Sequence, residues 1–398
     1  MDETRVQALI EERLKRYNAA TSMKENPGQV PNISFYVTWK VYDYGCKLSE
    51  ALLDYDLMAK LTYAFQERYN FDGFVEYSNR NQYRVSQLLG SSEYIVNDEA
   101  FSIQVEDFPT IYDGELAEFA KDPTKFMWEK IIPRKYPQFQ EDIEVSYFQE
   151  LVKEYQDFSA FSARMFSSMK ELYGIPVLWD FRAPGIPNPC ETLLSHYRGI
   201  KNFSIDMRRN KADLHAACEA LSGNAARAAV AAWANVAPGH TTKSCFDGDG
   251  GLLAHTVMNP KQFDEFYWPW LKMYWDCVSS KEGWVIRTFT EGSGELIWDH
   301  LMDYRKGMVF LHLDIDDPFL VRERCPNAGI MGGMDTHVLG HGTKEECLAK
   351  AEHLVNTLGQ QGGYIFSENR LVSYPNDTKR ENLEAVCKYL EEYNHRNA

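Results

Sequence analysis

The chain has 398 residues, of which 44% are hydrophobic and 14% aromatic, and its 42 Lys and Arg against 58 Asp and Glu give a formal charge of −16. That acidic balance speaks against a surface that wraps nucleic acid or lies on an anionic membrane, and the aromatic content speaks against a disordered chain. The length is sufficient for a large hydrophobic core without metal or disulfide staples.

In chain order, Thr4 to Lys24 reads as a polar helix, with Val6, Leu9, Ile10, Leu14 and Tyr17 at helical spacing. A turn at Asn26-Pro27-Gly28 leads into a strand from Ile33 to Lys40. Leu48 to Tyr69 is a long helical stretch, and Phe71 to Tyr77 a second strand that runs into Ser78-Asn79-Arg80. Tyr94 to Val96 and Phe101 to Val105 form a small hairpin. Glu115 to Ile132 and Glu144 to Tyr173 are helices, and Pro176 to Asp180 is a short strand entering a stiff Gly/Pro loop, Ala183 to Pro189.

The C-terminal half alternates more cleanly. After an aromatic helix, Pro260 to Ser280, come strands Gly283 to Thr290, Met308 to Leu313, Ala328 to Met334 and Gly363 to Ser367. Between and after them lie helices Gly294 to Tyr304, Thr343 to Leu358 and Glu381 to Tyr393. This β–α alternation argues for a parallel sheet with helices outside. Strands that end in charged or amide residues suit a (β/α)8 TIM barrel, whose site lies at the C-terminal ends of the strands. A doubly wound sheet is the alternative, but neither G-x-G-x-x-G after the first strand nor a P-loop occurs. The expected organisation is an N-terminal helical extension, residues 1–28, before a barrel spanning 29–398.

Met1 to Tyr17 is charged throughout, which excludes it as a secretory signal. The longest apolar run, Ala225 to Ala237, is short for a membrane span and is broken by Arg227. The eight cysteines are scattered and form no C-x-x-C, which points to reduced structural thiols in a cytoplasmic protein.

The polar residues at the late strand ends are Glu291, His312 with Asp314, Asp335, and Glu368 with Asn369. If these strands share one barrel, the residues meet at one mouth. A His with two carboxylates suits a divalent metal, zinc among them, and paired carboxylates alternatively serve acid–base chemistry. Each also has a plain structural reading. A His on an alternating strand is commonly a hydrogen-bonded core residue, and Glu368 could pair with Arg287 or Arg370. The aromatic residues Trp39, Tyr42, Tyr77 and Trp179 could line an apolar substrate pocket, with core packing as their default. Asp247-Gly248-Asp249-Gly250-Gly251 matches a calcium loop only in part, since Met258 stands where its last ligand, a Glu, belongs.

With these residues in view, the chain resembles the uroporphyrinogen decarboxylase-like superfamily, especially its cobamide-dependent methyltransferase branch. The resemblance rests on Gly45-Cys46-Lys47-Leu48-Ser49-Glu50-Ala51, Tyr69-Asn70-Phe71-Asp72-Gly73, Val285 to Gly292, Gly332-Gly333-Met334-Asp335, Gly342-Thr343-Lys344-Glu345-Glu346 and Glu381-Asn382-Leu383-Glu384-Ala385. The decarboxylase signature R-Q-A-G-R is absent; the corresponding region, Trp39-Lys40-Val41-Tyr42-Asp43, holds one basic residue. The H-x-C-G of zinc methyltransferases is also absent, with Phe289 and Glu291 at the His and Cys positions, and the last-strand segment Ser367-Glu368-Asn369 lacks Cys.

The resemblance implies a harder zinc site, with Glu291, His312 and Glu368 as ligands and Glu291, Asp314 and Asp335 in catalytic or orienting roles. Trp39, Tyr77, Asn79 and Trp179 are the expected substrate contacts. A zinc with oxygen and imidazole ligands polarises an ether oxygen. The implied reaction moves a methyl group from a small O-methyl donor, such as a methoxylated aromatic, to a corrinoid carried by a partner protein. That makes the chain the methyl-removing component of an O-demethylase. Asp335-Thr336-His337-Val338-Leu339-Gly340 formally fits a cobalamin-binding fingerprint, but too little chain follows for such a module, so the corrinoid is expected from outside. The alternatives are a metal-free decarboxylase and a non-catalytic barrel that binds a corrinoid partner.

Overall fold

A computed structural model describes residues 2–77, 82–91, 94–105, 108–140 and 144–398. Seven parallel strands curl into one sheet in the order β2-β1-β9-β8-β7-β6-β5. They are β1 (Asn32–Ser34), β2 (Gly73–Phe74), β5 (Gly248–Leu252), β6 (Ile286–Thr290), β7 (Val309–Leu313), β8 (Gly329–Gly332) and β9 (Tyr364–Ser367). Pro176 to Asp180 runs alongside the segment before β5, with a parallel bridge between Trp179 and Phe246. Helices flank the strands, and the architecture is the α/β barrel type that the alternation predicts. Two further strands, β3 (Tyr94–Asn97) and β4 (Ser102–Val105), form the expected antiparallel hairpin outside the barrel.

β7 to β9 are mostly apolar because both faces are covered. Inside lie Ile33, Phe35, Phe289, Phe310, Met331 and Ile365; outside, Ile286, Leu311, Ile330 and Phe366 pack under the helices. The helix Glu3–Thr21 closes the barrel bottom. Its Tyr17 is fully buried, donates to the Asp72 carbonyl at 2.5 Å just ahead of β2, and joins the interior cluster with Ala20. Arg13 and Arg16 on the same helix both pair with the buried Asp72 carboxylate. Among the described residues no helix is long and apolar enough to cross a membrane.

Several predicted boundaries move for identifiable reasons. The strand expected over Ile33–Lys40 stops at Ser34, because the Phe35 N–H leaves the ladder to donate to the Glu368 carboxylate at 2.8 Å. The chain then bends through a bridge from Tyr36 to Val372 into the helix Trp39–Asp43. The helix expected over Leu48–Tyr69 is two, Leu48–Leu53 and Tyr55–Tyr69, since the Asp54 side chain accepts from the N–H groups of Asp56 and Leu57 as a cap. Asp122 caps in the same way before Pro123 and divides the stretch from Glu115 to Ile132. The Gly-rich segment around Asp249, compared above with a calcium loop, is strand β5.

Candidate active site in the barrel interior

Ladder register decides which side chains meet. Asp249 of β5 stands beside Arg287 of β6, and Phe289 beside His312 of β7. Period-two alternation turns all four inward. Arg287 is 3% exposed and donates to Asp249 at 2.7 Å through Nη1, and to His312 Nδ1 at 3.2 Å through Nε and 2.9 Å through Nη2. The rings of Phe35, Phe289 and Trp179 surround the guanidinium, their centroids 5.6, 5.9 and 5.9 Å away. The result is a fixed guanidinium, paired with Asp249 and flanked by three aromatic rings.

His312 is fully buried, and its second nitrogen donates to the Glu368 carbonyl at 2.8 Å. That pattern defines the neutral ring with the proton on Nε2. Burial and then the Arg287 charge hold its pKa well below the usual histidine range. Burial raises the Asp249 carboxyl pKa, while Arg287 pulls it the other way.

The other expected residues divide into those at the mouth and those behind it. Asp314 accepts from the Gly292 N–H at 2.9 Å, and Arg370 lies 3.4 Å away. Asp316 accepts from Ser293 and Gly294 at 2.8 and 2.7 Å, so the two acids clamp the turn that carries Glu291. Glu291 itself is half-buried, its N–H donating to the Leu252 carbonyl. Asp335 caps the helix Thr336–His341, accepting from the His337 N–H at 2.7 Å. Gly340, the last residue of the cobalamin-like fingerprint, lies flat against the Asn376 carbonyl, which a Cβ would overlap. Gly340→Ala is therefore expected to cost about 1–3 kcal/mol by overpacking, read as a lower urea midpoint. That fingerprint is accounted for by capping and close packing.

Glu368 is fully buried on the helix side of β9. Its carboxylate accepts from Phe35, and Tyr36 and Cys387 are its electrostatic neighbours. Glu291, His312 and Glu368 are thus not gathered around one point. His312 has no nitrogen lone pair to spare, because Nδ1 already accepts from Arg287. Among the described residues no group of three His, Cys, Asp or Glu side chains is arranged to hold a metal ion. The zinc expectation does not fit this arrangement, and no step is routed through a metal.

Of the expected substrate contacts, Trp179 stands at the interior beside Arg287. Trp39 is packed against Tyr36 and Phe65 and donates to the Thr378 carbonyl at 3.1 Å. Tyr77 is stacked on Phe74 in the same outer cluster. Asn79 lies outside the described residues. Arg287 and Asp249, the centre of the site, were not among the expected site residues. The signal for Arg287 was a charged residue in the middle of an otherwise apolar strand; Asp249 was hidden in glycines.

In barrels of this type active sites lie at the C-terminal ends of the strands. The uroporphyrinogen decarboxylase (URO-D) family model matches residues 191–393, slightly more than half of the chain, including β5 to β9. The chain belongs to this family. No curated protein matches it. Among solved structures, a methyltransferase from Methanosarcina mazei shares the fold with a TM-score of 0.57 and 16% identity, over 95% of this chain and 98% of that one.

Proposed function

We propose that this protein is a methyltransferase of the URO-D superfamily that takes a methyl group from an O-methyl donor in the barrel interior. The observation that carries the reading is Arg287, a positive pole fixed among three aromatic rings. A guanidinium fixed beside those rings favours a leaving oxygen. When a nucleophile attacks the methyl carbon, the C–O electron pair stays on the oxygen. Arg287 stabilises that developing charge without reorganising. Its bonds to Asp249 and His312 engage three of the five guanidinium N–H groups. The match along almost the full length to a methyltransferase supports the class of reaction.

The acceptor in this reading is the reduced cobalt of a corrinoid presented by a separate protein, and the donor a methoxylated aromatic. Zinc belongs to it only if His312 exchanges Arg287 for metal, which elemental analysis of the active protein would reveal. The test uses cob(I)alamin as acceptor and a panel of methoxylated arenes, with methylcobalamin formation read by absorbance. Arg287→Met is expected to lower the rate at least about 100-fold, the scale seen when one preorganised donor is removed. An Arg287→Met variant as active as the parent would overturn the reading.

Family membership also favours loss of CO2, with Arg287 and Asp249 steadying the charge. Release of CO2 from uroporphyrinogen without any corrinoid would select that reading. Binding of a corrinoid protein without turnover would select a purely docking role.

A further inference from the structure

Strand β5 reads Gly248-Asp249-Gly250-Gly251, and its inward face carries Asp249 and then Gly251. Gly251 is exposed although it lies within the strand, and a Cβ built on it meets no heavy atom within 4 Å. Across the ladder its register partner is Phe289. Directly below, the Asp249 side chain is 22% exposed, whereas its partner Arg287 is 3% exposed. Bare backbone, the Phe289 side chain and a partly exposed carboxylate therefore border one slot, with Trp179 near its Arg287 end.

We propose that Asp249 and Gly251 determine which donors this site accepts: Gly251 leaves room for a planar ring against Phe289, and Asp249 accepts a hydrogen bond from an O–H or N–H on that ring. The proposal rests on the methyl-transfer reading and deepens it from a methoxylated compound to one that is flat and hydrogen-bond-donating. An ionised carboxylate offers more acceptor positions than Arg287 occupies. A side chain at 251 would fill the slot, and every residue type except glycine supplies one. Donors without the hydroxyl leave the partly buried carboxylate short of a partner, which is how polar sites discriminate strongly.

The experiment compares the three methoxyphenol isomers with methoxybenzene, cob(I)alamin again being the acceptor, and measures binding of the same phenols by calorimetry. The parent protein is expected to favour at least one methoxyphenol over methoxybenzene by about 100-fold in kcat/KM. Asp249→Asn should bring that ratio within about 10-fold, mostly through KM for the phenol. Gly251→Val should weaken phenol binding at least about 100-fold while its urea midpoint stays near that of the parent. Gly250→Ala, on the opposite face of the strand, should change neither. Methyl transfer with no preference for the phenols, or with Gly251→Val unaffected, would overturn the assignment while leaving methyl transfer standing. Phenol binding that is blocked by Gly251→Val, without methyl transfer, would keep the slot and remove the reaction. Absence of both binding and turnover would overturn the slot as well.

Discussion

Replacing Arg287 with Met is expected to destabilise the protein by about 3–5 kcal/mol, because it strands the Asp249 carboxylate in the interior without its cation. The pair is joined at 2.7 Å with 3% and 22% of the two side chains exposed. The double replacement Arg287→Met with Asp249→Asn removes both charges together and should recover much of the loss, a non-additivity that a double-mutant cycle in urea measures. A loss in the double variant equal to the sum of the two single losses would show that the pair carries no coupling. His312 gives a second readout. Part of its lowered pKa comes from the Arg287 charge, so in Arg287→Met its ring protons should titrate at higher pH in NMR spectra.

Glu368→Gln is expected to stabilise the protein increasingly as the pH rises. Burial pushes the Glu368 carboxyl up to about 7, from an ordinary value near 4.5. Between those values the folded chain keeps a proton that the unfolded chain has released, so the native state loses stability as pH climbs through this window. This is the reverse of a carboxylate held by a cation. Above about pH 7 the ionised group costs on the order of 3 kcal/mol, and glutamine, which still accepts from the Phe35 N–H, avoids that cost. The urea midpoints of the two proteins should nearly coincide at pH 4.5 and separate by pH 8. A gap of constant size across that range would show that Glu368 does not titrate as its burial requires.

The β–α order of the C-terminal half was legible because β6 to β9 are apolar runs closed by charged residues. β5 was not, because three of its five residues are glycine and glycine carries no periodicity. Glu291 and Asp314 follow the ends of β6 and β7, where Asp314 accepts from the Gly292 N–H. The ligand assignment neglected parity. Ile365 faces the interior and Phe366 the helices, so the count of two sends Ser367 inward and Glu368 outward. His312 was on the right face, but its partner lies 25 residues away on the neighbouring strand. Only the register between β6 and β7 joins them. The structural reading of a strand histidine, a hydrogen-bonded core residue, is the arrangement found.

The two ends of the chain meet at the barrel. The Asn394 side chain donates to the Val30 carbonyl and accepts from the Val30 N–H, each at 2.9 Å, and β1 takes β9 as its neighbour. Synthesis proceeds from the N-terminus, so one edge of β1 waits for a strand made more than 300 residues later. Until then Asn32 to Ser34 presents unpaired backbone to the crowded cell, a template for wrong pairing. The arrangement makes time on the ribosome a hazard for this fold, and the early part of the chain is where a holding chaperone would find its work.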